Sequence, residues 1–407
     1  MPLDVAALRS HFPALADGAA HFDGPGGSQV PDVVGAAVAE ALTSAVANRG
    51  RLTRAARRAD DIVLGARAAM ADLLGAHPEG IVFGRSMTQL TFDFSRALAK
   101  TWQEGDEIIL TRLEHDANIR PWLLAAGRAG VTVRWANFDA ATGDLPADAV
   151  TSLLSPRTRL VAVTGASNLL GTRPAVADIA EEAHRAGVWV YVDGVHLTPH
   201  APIDVDAIGA DLYVCSAYKF LGPHCGVLAG RPALLDELHP DKLEASPEVI
   251  PERFELGTLP YELLAGTTAA VDFLASLGAD GRTGRRGLSR RERLVEAMTA
   301  IEHHEDGLRR SIEARLGALD RVTLHGRAPH RTPTVLFTVA GLPAVDVSAH
   351  LAARDVNAPA GSFYALQASR RIGLGDDGGV RVGLAPYNHG EDADRLIAGV
   401  AELVGAG

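Results

Sequence analysis

The chain is expected to adopt an α/β fold, with a mostly parallel central sheet in a large domain followed by a smaller α/β domain, and three observations lead there. Short β-branched runs alternate with amphipathic stretches from about residue 75 to 230, the pattern of a parallel sheet whose crossovers are helices. A polar, glycine-rich break at 278–294 then precedes a second, shorter α/β pattern. The composition, 47% hydrophobic and 22% charged over 407 residues, is that of a globular chain with sizeable cores. Disordered, collagen-like and coiled-coil classes are thereby excluded.

In chain order, IVFGRS (81–86) is a strand entering a turn and TQLTFDFSRALA (88–99) the helix after it. DEIILTRL (106–113) and VTVRWANF (131–138) are strands separated by the helix PWLLAAGRAG (121–130). LVAVTGASN (160–168), VWVYVD (188–193) and DLYVCSAYK (211–219) are further strands, with the helix VADIAEEAHRAG (176–187) between the first two. Residues 293–319 carry one long helical pattern, and VTLHG (322–326) and TPTVLFTVAG (332–341) are strands of the smaller domain. The charge run RRGLSRRER (285–293) reads as a solvated helix start. The expected organisation is an N-terminal segment, 1–20, packing with the small domain, a large domain over 21–277 and the small α/β domain over 278–407.

Formal net charge is −11, so no global basic field collects phosphate backbones or anionic lipid, and nucleic acid and membrane are not expected partners. Cys215 and Cys225 are the two cysteines, too few for a disulfide framework and wrongly spaced for a zinc ribbon. Both read as small buried hydrophobes. With no secretory or spanning pattern in the sequence, the expected location is cytoplasmic. Chemistry that needs an amine nucleophile has three candidates, Lys100, Lys219 and Lys242.

Ligands of open α/β sheets lie beyond the carboxyl ends of the strands. VWVYVD ends in Asp193, with His196 just after it, and DLYVCSAYK ends in Lys219. An amine able to form a Schiff base and a carboxylate able to hold a pyridine nitrogen are what pyridoxal phosphate chemistry requires. Between a strand and a helix, the turn containing Ser86, Met87 and Thr88 offers backbone N–H groups to an anion. Hydroxyls of Ser86, Thr88, Ser216 and Tyr218 can join them, although Ser86 equally suits a plain helix N-cap. His115 follows DEIILTRL, where its flat ring can stack on a planar cofactor or merely cap a helical turn. Asn168 offers an amide or an Asx turn.

Eight blocks in order resemble one family: FDGPGGSQVP (22–31), SMTQ (86–89), EHDANIRPW (114–122), SNLLGT (167–172), YVDGVH (191–196), SAYKFLGPHCGVL (216–228), RFELGT (253–258) and RVGLAPYN (381–388). The resemblance is to class V aminotransferases, within them to the cysteine desulfurase and selenocysteine lyase branch. It implies the fold of type I pyridoxal 5'-phosphate enzymes, with Lys219 carrying the cofactor, Asp193 on its pyridine nitrogen, His115 stacked on the ring and His196 beside the phenolic oxygen. It also implies Thr88, Ser216 and Tyr218 around the phosphate, joined by Thr258 of the partner subunit in a homodimer with a shared active site. Asn168 and Arg381 match positions that hold the substrate carboxylate, for which a bidentate arginine is well suited.

Desulfurases of this kind carry a persulfide-accepting cysteine on a loop that here reads Pro359-Ala360-Gly361-Ser362-Phe363-Tyr364. Tyrosine cannot accept sulfur as a persulfide. The expected activity is therefore carbon–sulfur β-elimination on a cysteine-like amino acid, with Lys219 as base and His115 or Tyr364 protonating the leaving sulfur. A class V aminotransferase or an amino-acid racemase or epimerase is the alternative. A non-catalytic scaffold is least favoured, because the lysine and aspartate are both present.

Overall fold

Runs such as EIILT and TRLVAVT lack a polar face, and a strand of that kind is stable where a sheet is covered on both sides. The computed structural model describes residues 3–278 and 287–405; residues 279–286 of the expected inter-domain break, with the first part of the charge run, lie outside the described residues. After β1 (Ala20–His21), seven strands form the central sheet: β2 (Ile81–Gly84), β3 (Glu107–Thr111), β4 (Thr132–Ala136), β5 (Thr158–Thr164), β6 (Trp189–Asp193), β7 (Leu212–Ser216) and β8 (Gly226–Gly230). Their order is β2-β8-β7-β6-β5-β3-β4. β3 to β7 pair in parallel, while β8 runs antiparallel to its neighbours β2 and β7.

Side chains alternate between the two faces, as the period of a strand requires. Val161 and Val163 of β5 join Val190 and Val192 of β6 in one core, beneath Ile179 and Ala183 of the helix Val176–Arg185. Leu160, Ala162 and Tyr191 face the other core, with Phe94 and Trp122 of the helices Met87–Ala99 and Arg120–Ala129. A smaller sheet holds β9 (Val322–His325), β10 (Thr334–Val339), β12 (Ala360–Gly361) and β13 (Gly379–Gly383) in the antiparallel order β12-β13-β10-β9. A separate parallel pair joins β1 to β11 (Val356–Asn357).

The helix Arg290–Gly317 opens on a capping box between Ser289 and Glu292. Its Leu294, Met298 and Ile301 pack in a core of the central sheet, and Ile312 and Leu316 in that of the smaller one. The N-terminal segment touches both parts. Leu8 and Phe12 enter the core that contains Phe273, and Arg9 bonds the Tyr387 carbonyl at 2.6 Å and Asp392 at 3.2 Å.

One buried ion pair ties RFELGT to the edge of the sheet. Arg67 and Glu255 meet through two parallel bonds of 2.8 Å, and Glu255 also accepts the Phe83 N–H of β2 at 2.9 Å. Both side chains are 4% exposed. Removing one member leaves an uncompensated charge, so Glu255→Ala is expected to lower stability by about 3–5 kcal/mol, read as the shift in a chemical denaturation curve. Glu255→Gln, which retains an acceptor for Phe83, loses less.

Candidate active site

The carboxyl ends of β2, β3, β5, β6 and β7 share one edge, and a cavity of about 270 Å³ lies beyond them. Parallel register sets Asp193 beside Thr164 on one side and Val214 on the other. Asp193 Oδ1 accepts the Val195 N–H at 3.0 Å. Burial pushes its carboxyl up to about 6, opposed by that N–H and by the Lys219 charge.

Lys219 follows β7 in a short 3-10 turn, Ala217–Lys219. Its Nζ donates to the Pro25 carbonyl and lies 4.6 Å from the centre of the Tyr218 ring. Burial first, and then Arg381, lower its pKa to about 8, while Asp23 and Asp193 pull the other way. The amine therefore sits close to the protonation state a nucleophile or base needs.

Glu114, at the end of DEIILTRLE, is fully buried and holds the His115 loop together. Its carboxylate accepts Thr164 N–H at 2.8 Å and Asn118 Nδ2 at 2.7 Å, and Asn118 Oδ1 accepts Trp122 Nε1–H at 2.9 Å. Burial raises its pKa to about 8. His115 Nδ1 accepts the Ala117 N–H at 3.0 Å, which places the imidazole proton on Nε2. Burial, with Lys219 and Arg381 nearby, lowers its pKa to about 4, so the ring is neutral at pH 7. It lies tilted against Tyr364, with ring centres 5.4 Å apart.

The smaller sheet supplies Arg381 from β13. Its guanidinium is buried, with Nη2 on Asp23 Oδ1 and Nη1 on the Asn168 carbonyl at 3.2 Å. Its face covers the Phe363 ring at 3.7 Å, and its Nε has no partner among the described residues. Asn168 spends its Nδ2 on the Phe363 carbonyl at 2.9 Å, leaving Oδ1 unpartnered. His196 Nε2 lies 2.9 and 3.0 Å from the hydroxyls of Thr334 and Thr332. Burial leads the causes that hold its pKa well below the ordinary value.

Met87, Thr88, Tyr218 and Tyr364 also line the cavity, as do Lys219, Asp193, His115, His196, Asn168 and Arg381. Three other sequence candidates do not. Ser86 is the N-cap of Met87–Ala99 and accepts the Gln89 N–H at 3.2 Å, which is the simpler of the two readings of that serine. Ser216 ends β7 buried, with Oγ unpartnered. Thr258 is exposed on the loop before the helix Tyr261–Ser276. Asp23, Glu114 and Thr164 gave no local signal of a site role in the sequence.

Pyridoxal phosphate fits this arrangement. An unpartnered buried hydroxyl at Ser216 and the opening N–H groups of the helix at Met87 and Thr88 suit a phosphate, Asp193 suits a pyridinium nitrogen, and Lys219 suits an aldehyde. β8 abuts this phosphate-side turn so closely that a Cβ on Gly226 would lie 2.3 Å from the Ser86 carbonyl carbon. No group of three or more potential metal ligands occurs among the described residues, and no helix among them is long and apolar enough to cross a membrane.

Comparison with known proteins agrees with this cofactor fit. A family model described as "Aminotransferase class-V" matches residues 20–396. An uncharacterized protein of Mycobacterium tuberculosis (strain CDC 1551 / Oshkosh) is 34% identical, over 99% of this chain and 100% of its own. An aminotransferase-like protein of Gibberella zeae is 33% identical, over 96% of each chain. Among solved structures, the cysteine desulfurase CsdA of Escherichia coli superposes with a TM-score of 0.87 at 27% identity, each chain covered completely.

In the cofactor-free protein, the Lys219 amine is expected to titrate near 8, down from its ordinary 10.5. It is then largely protonated at pH 7 and largely free at pH 9. Reductive methylation with a carbon-13 label, followed by NMR across pH, reads that midpoint directly.

Proposed function

The chain belongs to the class V aminotransferase family and is a pyridoxal phosphate-dependent enzyme, and from that premise we propose that it cleaves the carbon–sulfur bond of a cysteine-like amino acid by β-elimination, without a protein-bound persulfide. The observation that carries this reading is the place of its thiols. Cys215 and Cys225 are the chain's two cysteines, both are buried in core, and neither lines the cavity. Burial pushes the Cys225 thiol up to about 12 and raises Cys215 as well, so neither is poised as a thiolate. Where a sulfur acceptor would be needed, Phe363 and Tyr364 stand instead.

Under this reading Lys219, Asp193, His115 and His196 hold the cofactor, together with Met87, Thr88, Ser216 and Tyr218. The bound group supplies an electron sink that acidifies the substrate Cα–H bond. Lys219 takes that proton on Nζ. The Cβ–S bond then breaks with its electron pair on sulfur, the thiolate takes a proton from the Tyr364 hydroxyl, and the proton held on Lys219 Nζ restores that hydroxyl through water, leaving both groups as they began. The products are a thiol and 2-aminoacrylate, which water converts to pyruvate and ammonia. His115 is poorly suited to the second transfer, because a pKa near 4 leaves almost no imidazolium at neutral pH.

Arg381 orients the substrate carboxylate, while Asn168, expected beside it, instead positions the site: its carbonyl accepts Arg381 Nη1 and its amide donates to the Phe363 carbonyl. Tyr364 is held over the cavity by its backbone: its carbonyl accepts the Asp116 N–H at 2.8 Å and the Phe363 carbonyl accepts Asn168 Nδ2. Both residues adopt positive φ, 51° and 59°, a costly conformation for aromatic residues that persists where the surroundings impose it. We propose a homodimer on the exposure of Leu42, Leu52 and Leu256, with Thr258 beside the last of these. A reducing, cytoplasmic location suits the two free cysteines.

With S-alkyl cysteines, the enzyme is expected to release thiol and pyruvate in equal amounts, to lose both with Lys219→Ala, and to keep both when Cys215 and Cys225 are replaced by alanine. Pyridoxamine phosphate formed without thiol, or solvent deuterium at Cα without loss of sulfur, overturns the lyase reading.

Tyr364→Phe is expected to lower kcat about 100-fold for alkyl thiols, which need a proton to leave. The loss is much smaller for substrates releasing an acidic aryl thiol, and comparing kcat across the two classes checks the assignment.

A further inference from the structure

Arg381 holds a carboxylate already. Its guanidinium is 2% exposed, and a buried guanidinium without a counter-charge is costly. Asp23 meets that cost with a single oxygen, Oδ1 on Nη2. The neighbouring Nε is buried and unpartnered, and Nη1 is taken by the Asn168 carbonyl. The edge formed by Nε and Nη2 is thus half used, and a planar carboxylate gripping it with both oxygens must take Nη2 from Asp23.

The fold provides for that exchange. Asp23 lines both the site cavity and a second cavity of about 370 Å³. There the Tyr387 hydroxyl accepts the Gln29 N–H at 3.2 Å and bonds no acceptor among the described residues, so its proton is available to a carboxylate. Backbone contacts hold Asp23 at this junction whatever its side chain does: it bridges to Gly383 of β13, and the Gly383 N–H bonds the Phe22 carbonyl at 2.8 Å. Gly26 leaves the side chain its room, since a Cβ there would lie 2.1 Å from Asp23 Oδ2.

We propose that Asp23 is a specificity-determining residue: an internal carboxylate that neutralises Arg381 in the empty site, competes with the carboxylate of the incoming amino acid, and moves to the second cavity when displaced. The inference rests on the reading of Arg381 as the substrate-carboxylate site. It implies a site that discriminates against weak, monodentate anions, because an entering ligand must outbid a carboxylate already in place. It also sets the substrate's own carboxylate as an obligatory feature, which amides and esters of the same amino acid lack.

Cofactor-loaded enzyme titrated with propionate by calorimetry, and with L-alanine by the absorbance of the bound cofactor, tests this without turnover. Asp23→Asn and Asp23→Ala are both expected to bind each ligand about tenfold or more tighter than the unaltered protein, the loss of a charged competitor at a guanidinium. Arg381→Ala is expected to lose propionate binding. Unchanged or weaker binding in both Asp23 variants, with Arg381→Ala still defective, overturns the competition. Propionate binding that survives Arg381→Ala overturns instead the carboxylate role of Arg381 on which the proposal stands.

Discussion

Thr164, Asp193 and Val214 lie abreast because β5, β6 and β7 run parallel and in register, and this alignment is the constraint from which the site follows. A parallel sheet delivers every strand's last residue to the same edge, so chemistry drawn from residues far apart in sequence converges without long loops. Each strand end then fixes one side chain against its neighbours. Gly165 N–H bonds the Asp193 carbonyl and Gly194 N–H bonds that of Val214, both at 2.8 Å. The acid that faces the cavity is thereby held by its own backbone ladder.

Burial does the remaining electrostatic work. Lys219, Asp193, His115 and His196 are all shifted toward their neutral forms, and desolvation is the leading cause for each. Opposite charges at Asp23 and Asp193 restrain the shift at Lys219 without cancelling it. The result is a lysine and an aspartate that both change charge within a few pH units of neutrality. Surface residues of the same types do not combine in this way, because water would stabilise each charge independently.

Much of the fold could be read from local pattern. The continuous apolar strands and the helices between them show in composition and period, and eight ordered blocks disclose the family. Elements as short as β1, β11 and β12, two residues each, have no period to read and are defined by the partners they meet. The antiparallel direction of β8 is likewise a property of its neighbours. At the site, Asp193 announces itself by ending a strand, and Lys219 by following one, since β7 stops at Ser216 and not at the lysine, whereas Asp23 and Arg381 are 358 residues apart and meet through backbone bridging to β13. Glu114 opens the EHDANIRPW block, but its hydrogen-bond hub depends on β5 arriving alongside. Thr258 shows the converse: a motif fixes its identity, not whether its side chain faces this cavity.

The 28-residue helix Arg290–Gly317, about 42 Å long at the usual rise, gives the molecule a shared fate. One end is sealed into a core of the central sheet and the other into the core of the smaller sheet. Melting either core would strip one end of a continuous hydrogen-bonded rod and expose its apolar stripe, which raises the cost of partial opening. Amides in the smaller sheet thus borrow protection from exchange from the larger one, and the two sheets form a single cooperative unit rather than two independently fraying lobes.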